Sequence, residues 1–95
     1  MNVQWFKRAA ADRRRQAEHT RKDRPHAALE QIDRLMQRVA SLADHPEQGR
    51  AGRQHDTREL VVTGTPFVVV YRVRQRLQRV EILRVLHGAQ KWPPS

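Results

Sequence analysis

The sequence predicts a single α+β domain over residues 1–95, in which a short strand and an αα-hairpin precede a three-stranded antiparallel meander, in the order β-α-α-β-β-β. Two observations carry this. Residues 58–87 hold most of the β-branched side chains and are punctuated by Gly64-Thr65-Pro66, which is turn chemistry between strands. Residues 7–43 contain no glycine and a single proline, Pro25, and are rich in helix formers.

Asn2 to Trp5 alternates, with Val3 and Trp5 on one side, as a short strand joining a half-buried sheet would. Lys7 to Lys22 has helix propensity but a poor apolar face. Ala9, Ala10 and Ala17 offer methyl groups, while Arg13, Gln16, His19 and Thr20 interrupt the stripe, so this helix is expected to be only loosely attached. Pro25 suits the first turn of a second helix, and Asp23 near its start complements the dipole. The stripe Ala28, Leu29, Ile32, Leu35, Met36, Val39 and Leu42 then gives one apolar face, ended by Asp44-His45-Pro46. Glu47 to Asp56, with Gly49 and Gly52, reads as a surface loop.

The strands follow as Leu60 to Val62, Phe67 to Val73 and Val80 to Leu86, with a tail over 88–95. In the middle one Phe67, Val69, Tyr71 and Val73 share one face and Val68, Val70 and Arg72 the other. Both faces are largely apolar, and a helical hairpin covers only one. The tail or another chain must therefore shield part of the second. The run Arg74 to Arg79 is expected at a hairpin with its charges solvated.

A chain of 95 residues buries roughly 60 to 70% of its unfolded surface, which allows one small core. With no cysteine, disulfides, thiolate zinc sites and Cys nucleophiles are excluded. There is neither a bilayer-spanning apolar run nor a secretory h-region, so a cytoplasmic protein without a membrane partner is expected. The net charge of +9 is uneven: residues 1–24 carry eight Lys/Arg against three Asp/Glu, residues 25–57 four against five, and residues 58–95 seven against two. Two basic ends favour polyanions or an acidic protein partner, with attraction that weakens in salt.

The five histidines show no i, i+4 pair and no acidic ligand pattern, so no metal is expected, and no cofactor motif is present. Neither Ser41 nor Ser95 lies in a nucleophile motif. Arg58, Arg84 and His87 are the candidates for chemistry. Metal-free RNA cleavage would use guanidiniums to stabilise a pentacovalent phosphate and an imidazole as general acid or base. The plainer reading is an exposed arginine pair and a histidine packed beside the last strand. Trp92 before Pro93-Pro94 reads as a lid on the sheet end, and Arg13 to Arg15 as a wet helix face without interleaved aromatics.

The element order, together with TRELVV, TPFVVVYRV and the ending VEILRVLHGAQKWP, resembles the RelE/ParE superfamily of bacterial type II toxins, most closely its ParE-like branch. The likeness covers nearly the whole chain, and Arg24-Pro25 followed by Ala27-Ala28 looks like the family's interhelical break. It implies a toxin held inactive by a cognate acidic antitoxin of ParD-like or similar type. Phe67, Val69, Tyr71 and Arg72 are the expected antitoxin-facing residues. Where the family's first helix usually carries Leu, Ile and Tyr, this chain has Gln16, His19 and Thr20. Where the ribosome-dependent nuclease branch has further basic residues, it has Leu60 and Val68, and Gly88 follows His87 in place of Tyr. The resemblance thus implies poisoning of DNA gyrase by protein contact, without catalysis or sequence-specific nucleic-acid binding. The alternative it leaves is a RelE-like mRNA endoribonuclease acting through Arg58, Arg84 and His87.

Overall fold

A computed structural model describes residues 1–88 and 90–94; of the expected tail, Ala89 and Ser95 lie outside the described residues. Strand β1 (Asn2–Trp5) leads into helices α1 (Lys7–Asp23) and α2 (Pro25–Ser41). Strands β2 (Arg50–Ala51), β3 (Arg58–Val61), β4 (Phe67–Arg74) and β5 (Arg79–His87) follow, with a 3-10 turn, Gln75–Leu77, between the last two. The expected meander β3-β4-β5 is present and antiparallel, and it is extended on both sides into a five-stranded sheet of order β1-β5-β4-β3-β2.

The two additions differ in kind. β1 runs parallel to β5, Asn2 opposite Arg79 and Trp5 opposite Ile82, because the helical hairpin carries the chain back over the sheet between them. β2 lies in the segment expected to be loop. Its two residues pair with Arg58 and Glu59, a pairing too short to leave a periodic signal.

Both helices pack on the sheet face that carries Leu60, Val62, Phe67, Val69, Tyr71, Val80, Ile82 and Val85, forming the core with Ala9, Leu35, Val39 and Leu42. Pro25 opens α2 as expected. Asp23, however, is the last residue of α1, and no side chain caps α2. The α2 stripe turns inward at Ala28, Leu35, Val39 and Leu42, whereas Leu29 is 69% exposed and Met36 39%. A stripe seven residues wide exceeds what one sheet face can bury.

The second face needed cover, and within the chain it is largely supplied: Val70 and Leu86 are buried there, while Val61 stays exposed. At one end the tail brings the Trp92 ring to 5.3 Å from the guanidinium of Arg84, which pairs across the sheet with Val70. Among the described residues no helix is long and apolar enough to cross a membrane.

Candidate binding surfaces

The seam between α1 and β5 is polar at its centre. Beyond Trp5 the chain leaves the sheet, and β5 loses its parallel neighbour just where Leu83 bulges out of register, Arg84 opposing Val70 and Ile82 opposing Tyr71. The backbone N–H of Val85 is left without a ladder partner, and Asp12 of α1 accepts it at 2.9 Å. The same carboxylate accepts from Arg84 Nε at 2.7 Å and from Arg84 and Arg15 terminal nitrogens at 3.3 and 2.9 Å. Burial alone would raise the pKa of Asp12, but the hydrogen bonds from Arg84 and Val85, with Arg15, outweigh it and hold the group below the usual carboxylate range.

Helix α1 is therefore not loosely attached. Its sparse apolar stripe is replaced by a buried carboxylate, and Arg13, which interrupts that stripe, lies 4.4 Å from the Trp5 ring and reaches the sulfur of Met36. Nothing in the spacing of Asp12 marks it. A carboxylate among Arg13 to Arg15 reads as a surface charge pair, and only the missing neighbour of β5 makes it structural.

The grouping of Arg58, Arg84 and His87 does not survive folding. Arg84 is committed to Asp12. Arg58 donates to the carbonyls of Gly49 and Glu47. His87 lies opposite Phe67 at the far end of the strand from the Arg58–Tyr71 pair, about 17 Å away across two strands. No common point lies within hydrogen-bond reach of all three.

Of the four residues expected to face an antitoxin, Phe67, Val69 and Tyr71 are core residues, 2%, 0% and 0% exposed. They point into the helices, so their side chains offer a partner no surface. Tyr71 instead ties down a loop, its hydroxyl accepting the Gly49 N–H at 2.8 Å and donating to the Pro46 carbonyl at 2.7 Å. Gly49 must be glycine: a Cβ there would lie 2.7 Å from the Tyr71 ring and hydroxyl. Burial raises the Tyr71 pKa, keeping it a donor. Arg72 does reach the surface.

Arg72 belongs to a second feature missed by inspection of the sequence. On the face away from the helices, two glutamates, each 2% exposed, are ringed by arginines. Glu81 accepts from Arg72, Arg74 and Arg79, the shortest contact being 2.6 Å. Glu59 accepts from both the backbone and side chain of Arg53 and from Arg50. The hairpin arginines are thus not free in solvent: Arg74 and Arg79 are held, and Arg76 alone of them makes no ion pair among the described residues. Burial would raise both glutamates, but their arginine hydrogen bonds prevail and lower them.

Two of the open concavities of the surface lie beside α1. A cleft of about 550 Å³ beside the α1–β5 seam is lined by Gln4, Trp5, Phe6, Lys7, Arg8, Leu83, Arg84 and Trp92. A groove of about 400 Å³ between the helices has Ala17, Pro25, Ala28, Leu29 and Ile32 as its floor and Arg14, Glu18 and Arg21 at its rim.

A parallel β1 closed onto a β3-β4-β5 meander under a helical hairpin is the architecture of the RelE/ParE toxins. Residues 3–92 match the family described as ParE toxin of type II toxin-antitoxin system, parDE, and the chain belongs to that family. It is 37% identical over 91 residues to protein Y4kP of Sinorhizobium fredii, covering 96% of this chain and 92% of that one. It superposes with a TM-score of 0.81 and 26% identity on a chain of the chromosomal ParDE system from P. aeruginosa, covering 92% of this chain and 95% of that one.

Proposed function

We infer that this ParE-family toxin acts in the cytoplasm by binding, inhibiting DNA gyrase through protein contact, and that a cognate acidic antitoxin neutralises it. The observation that carries the first part is the engagement of Arg84 by Asp12. A guanidinium neutralised by a buried carboxylate is withdrawn from phosphate chemistry, and the remaining pair, Arg58 and His87, lies too far apart to act on one phosphodiester. Family membership supports the same target class.

The antitoxin reading is supported by the interhelical groove. Its apolar floor and its rim, with two arginines against one glutamate, suit the apolar face of an amphipathic helix flanked by acidic residues. Leu29 is the exposed anchor there.

The test is a supercoiling assay with purified gyrase. Added toxin should block supercoiling and accumulate cleaved DNA, and an equimolar antitoxin of the same operon should reverse both. Unchanged supercoiling at excess toxin, with new transcript ends at translated codons after induction, would instead establish the nuclease reading.

A further inference from the structure

We propose that the sheet face carrying Glu59 and Glu81 binds the backbone of double-stranded DNA, independently of sequence. Five arginines, Arg50, Arg53, Arg72, Arg74 and Arg79, converge on two carboxylates there, leaving three net positive charges. Arg76 adds another at the hairpin tip. This inference goes beyond gyrase inhibition and needs neither gyrase nor antitoxin.

The glutamates act as internal templates. Each guanidinium has five donors, and a shared carboxylate satisfies only one or two of them, so the others are presented in a fixed orientation. The ion pairs restrict the stems, and a phosphate oxygen meets a fork set for an oxyanion.

Spacing selects the ligand. Glu59 lies opposite Val70 and Glu81 opposite Arg72, on strands separated by β4. Strand spacing and rise then put the two carboxylates on which the arginines converge about 12 Å apart. The major groove of B-form DNA is roughly 12 Å wide. One group can therefore engage the phosphates of each strand along the groove walls. An acidic peptide fits less well, because Val61 and Leu77 are the only exposed large hydrophobic residues of the strands and hairpin and both lie at the margins of this face. A peptide would have nothing apolar to bury between the two charged groups.

Fluorescence anisotropy of the full chain with two unrelated 20-base-pair duplexes tests this. Neutralising four phosphates gives a slope of about −3.6 in log K against log salt, so affinity should fall about 150-fold between 50 and 200 mM salt. Both duplexes should bind alike. The triple variant Arg50→Gln, Arg74→Gln, Arg76→Gln leaves Glu59 with Arg53, and Glu81 with Arg72 and Arg79, so the fold is kept. It should bind at least tenfold more weakly at 50 mM salt with an unchanged circular dichroism spectrum. Arg14→Gln, Arg21→Gln on the helical face should bind like the parent. The proposal is overturned if the parent does not bind at 50 mM salt, or if the helical-face variant loses as much affinity as the sheet-face variant. It is equally overturned if polyglutamate or single-stranded RNA of matched charge binds more tightly than the duplex. Because gyrase is absent, failure here leaves the supercoiling prediction standing.

Discussion

Helices α1 and α2 each span 17 residues and lie on the same sheet face, yet they are held by opposite means. Leu35 and Val39 of α2, with Leu42 just beyond its end, bury apolar surface in one core with residues of β3, β4 and β5, a non-directional attachment worth roughly 25 cal/mol per Å². α1 buries chiefly Ala9 and Asp12. Its attachment is directional: one carboxylate must meet one guanidinium and one orphaned N–H. An apolar interface tolerates small shifts. A buried ion pair fixes register, and it fails abruptly when one partner is removed.

The largest expected effect follows from that asymmetry. Asp12→Ala leaves Arg84 charged and buried and the Val85 N–H unsatisfied, and should cost about 3–5 kcal/mol in urea unfolding. Leu35→Ala, the matching cut in α2, should cost about 2–5 kcal/mol and do so equally at pH 7 and pH 3. The Asp12 penalty should shrink at low pH, because the parent itself loses the interaction there.

The sign follows from the lowered pKa values. Asp12, Glu59 and Glu81 all titrate below their ordinary values of 3.8 and 4.5 when folded. Their stabilisation is complete above those ordinary values and disappears as pH falls through the lower folded ones. The thermal midpoint should hold from pH 7 to about 5 and drop steeply below about 4; a flat profile to pH 2 would show that these carboxylates add nothing. Tyr71→Phe, which strands the Gly49 N–H and the Pro46 carbonyl, should cost about 1–3 kcal/mol. Leu29→Gln, on the exposed edge of the α2 stripe, should change stability by no more than about 0.5 kcal/mol while weakening antitoxin capture in a titration.

The same contrast explains what the sequence could reveal. Period-2 and period-3.6 patterning report apolar burial, so β3 to β5 and both helices were legible to within two residues of their ends. The attachment of α1 was not, since it depends on one carboxylate meeting a strand edge more than seventy residues away, a contact with no periodic signature. The arginine-ringed glutamates were hidden for the same reason. Arg74 to Arg79 reads as a solvated run until strand pairing brings Arg74 and Arg79, with Arg72, around Glu81. Phe67, Val69 and Tyr71 share one face in the period-2 pattern, but that pattern does not say which face the helices take.

The parallel pairing of β1 with β5 also sets a timetable. Residues 2–5 emerge early in synthesis, but their hydrogen-bonding partners are residues 79–82. Asp12 likewise waits for Arg84 and Val85. Until β5 is made, the first strand has no sheet to join and α1, though it can lie against α2, lacks the partners of its buried carboxylate, so closure of the domain is a late, long-range step. The growing chain cannot display its finished surfaces piecemeal. A partner that recognises the closed sheet meets them only after β5 has docked.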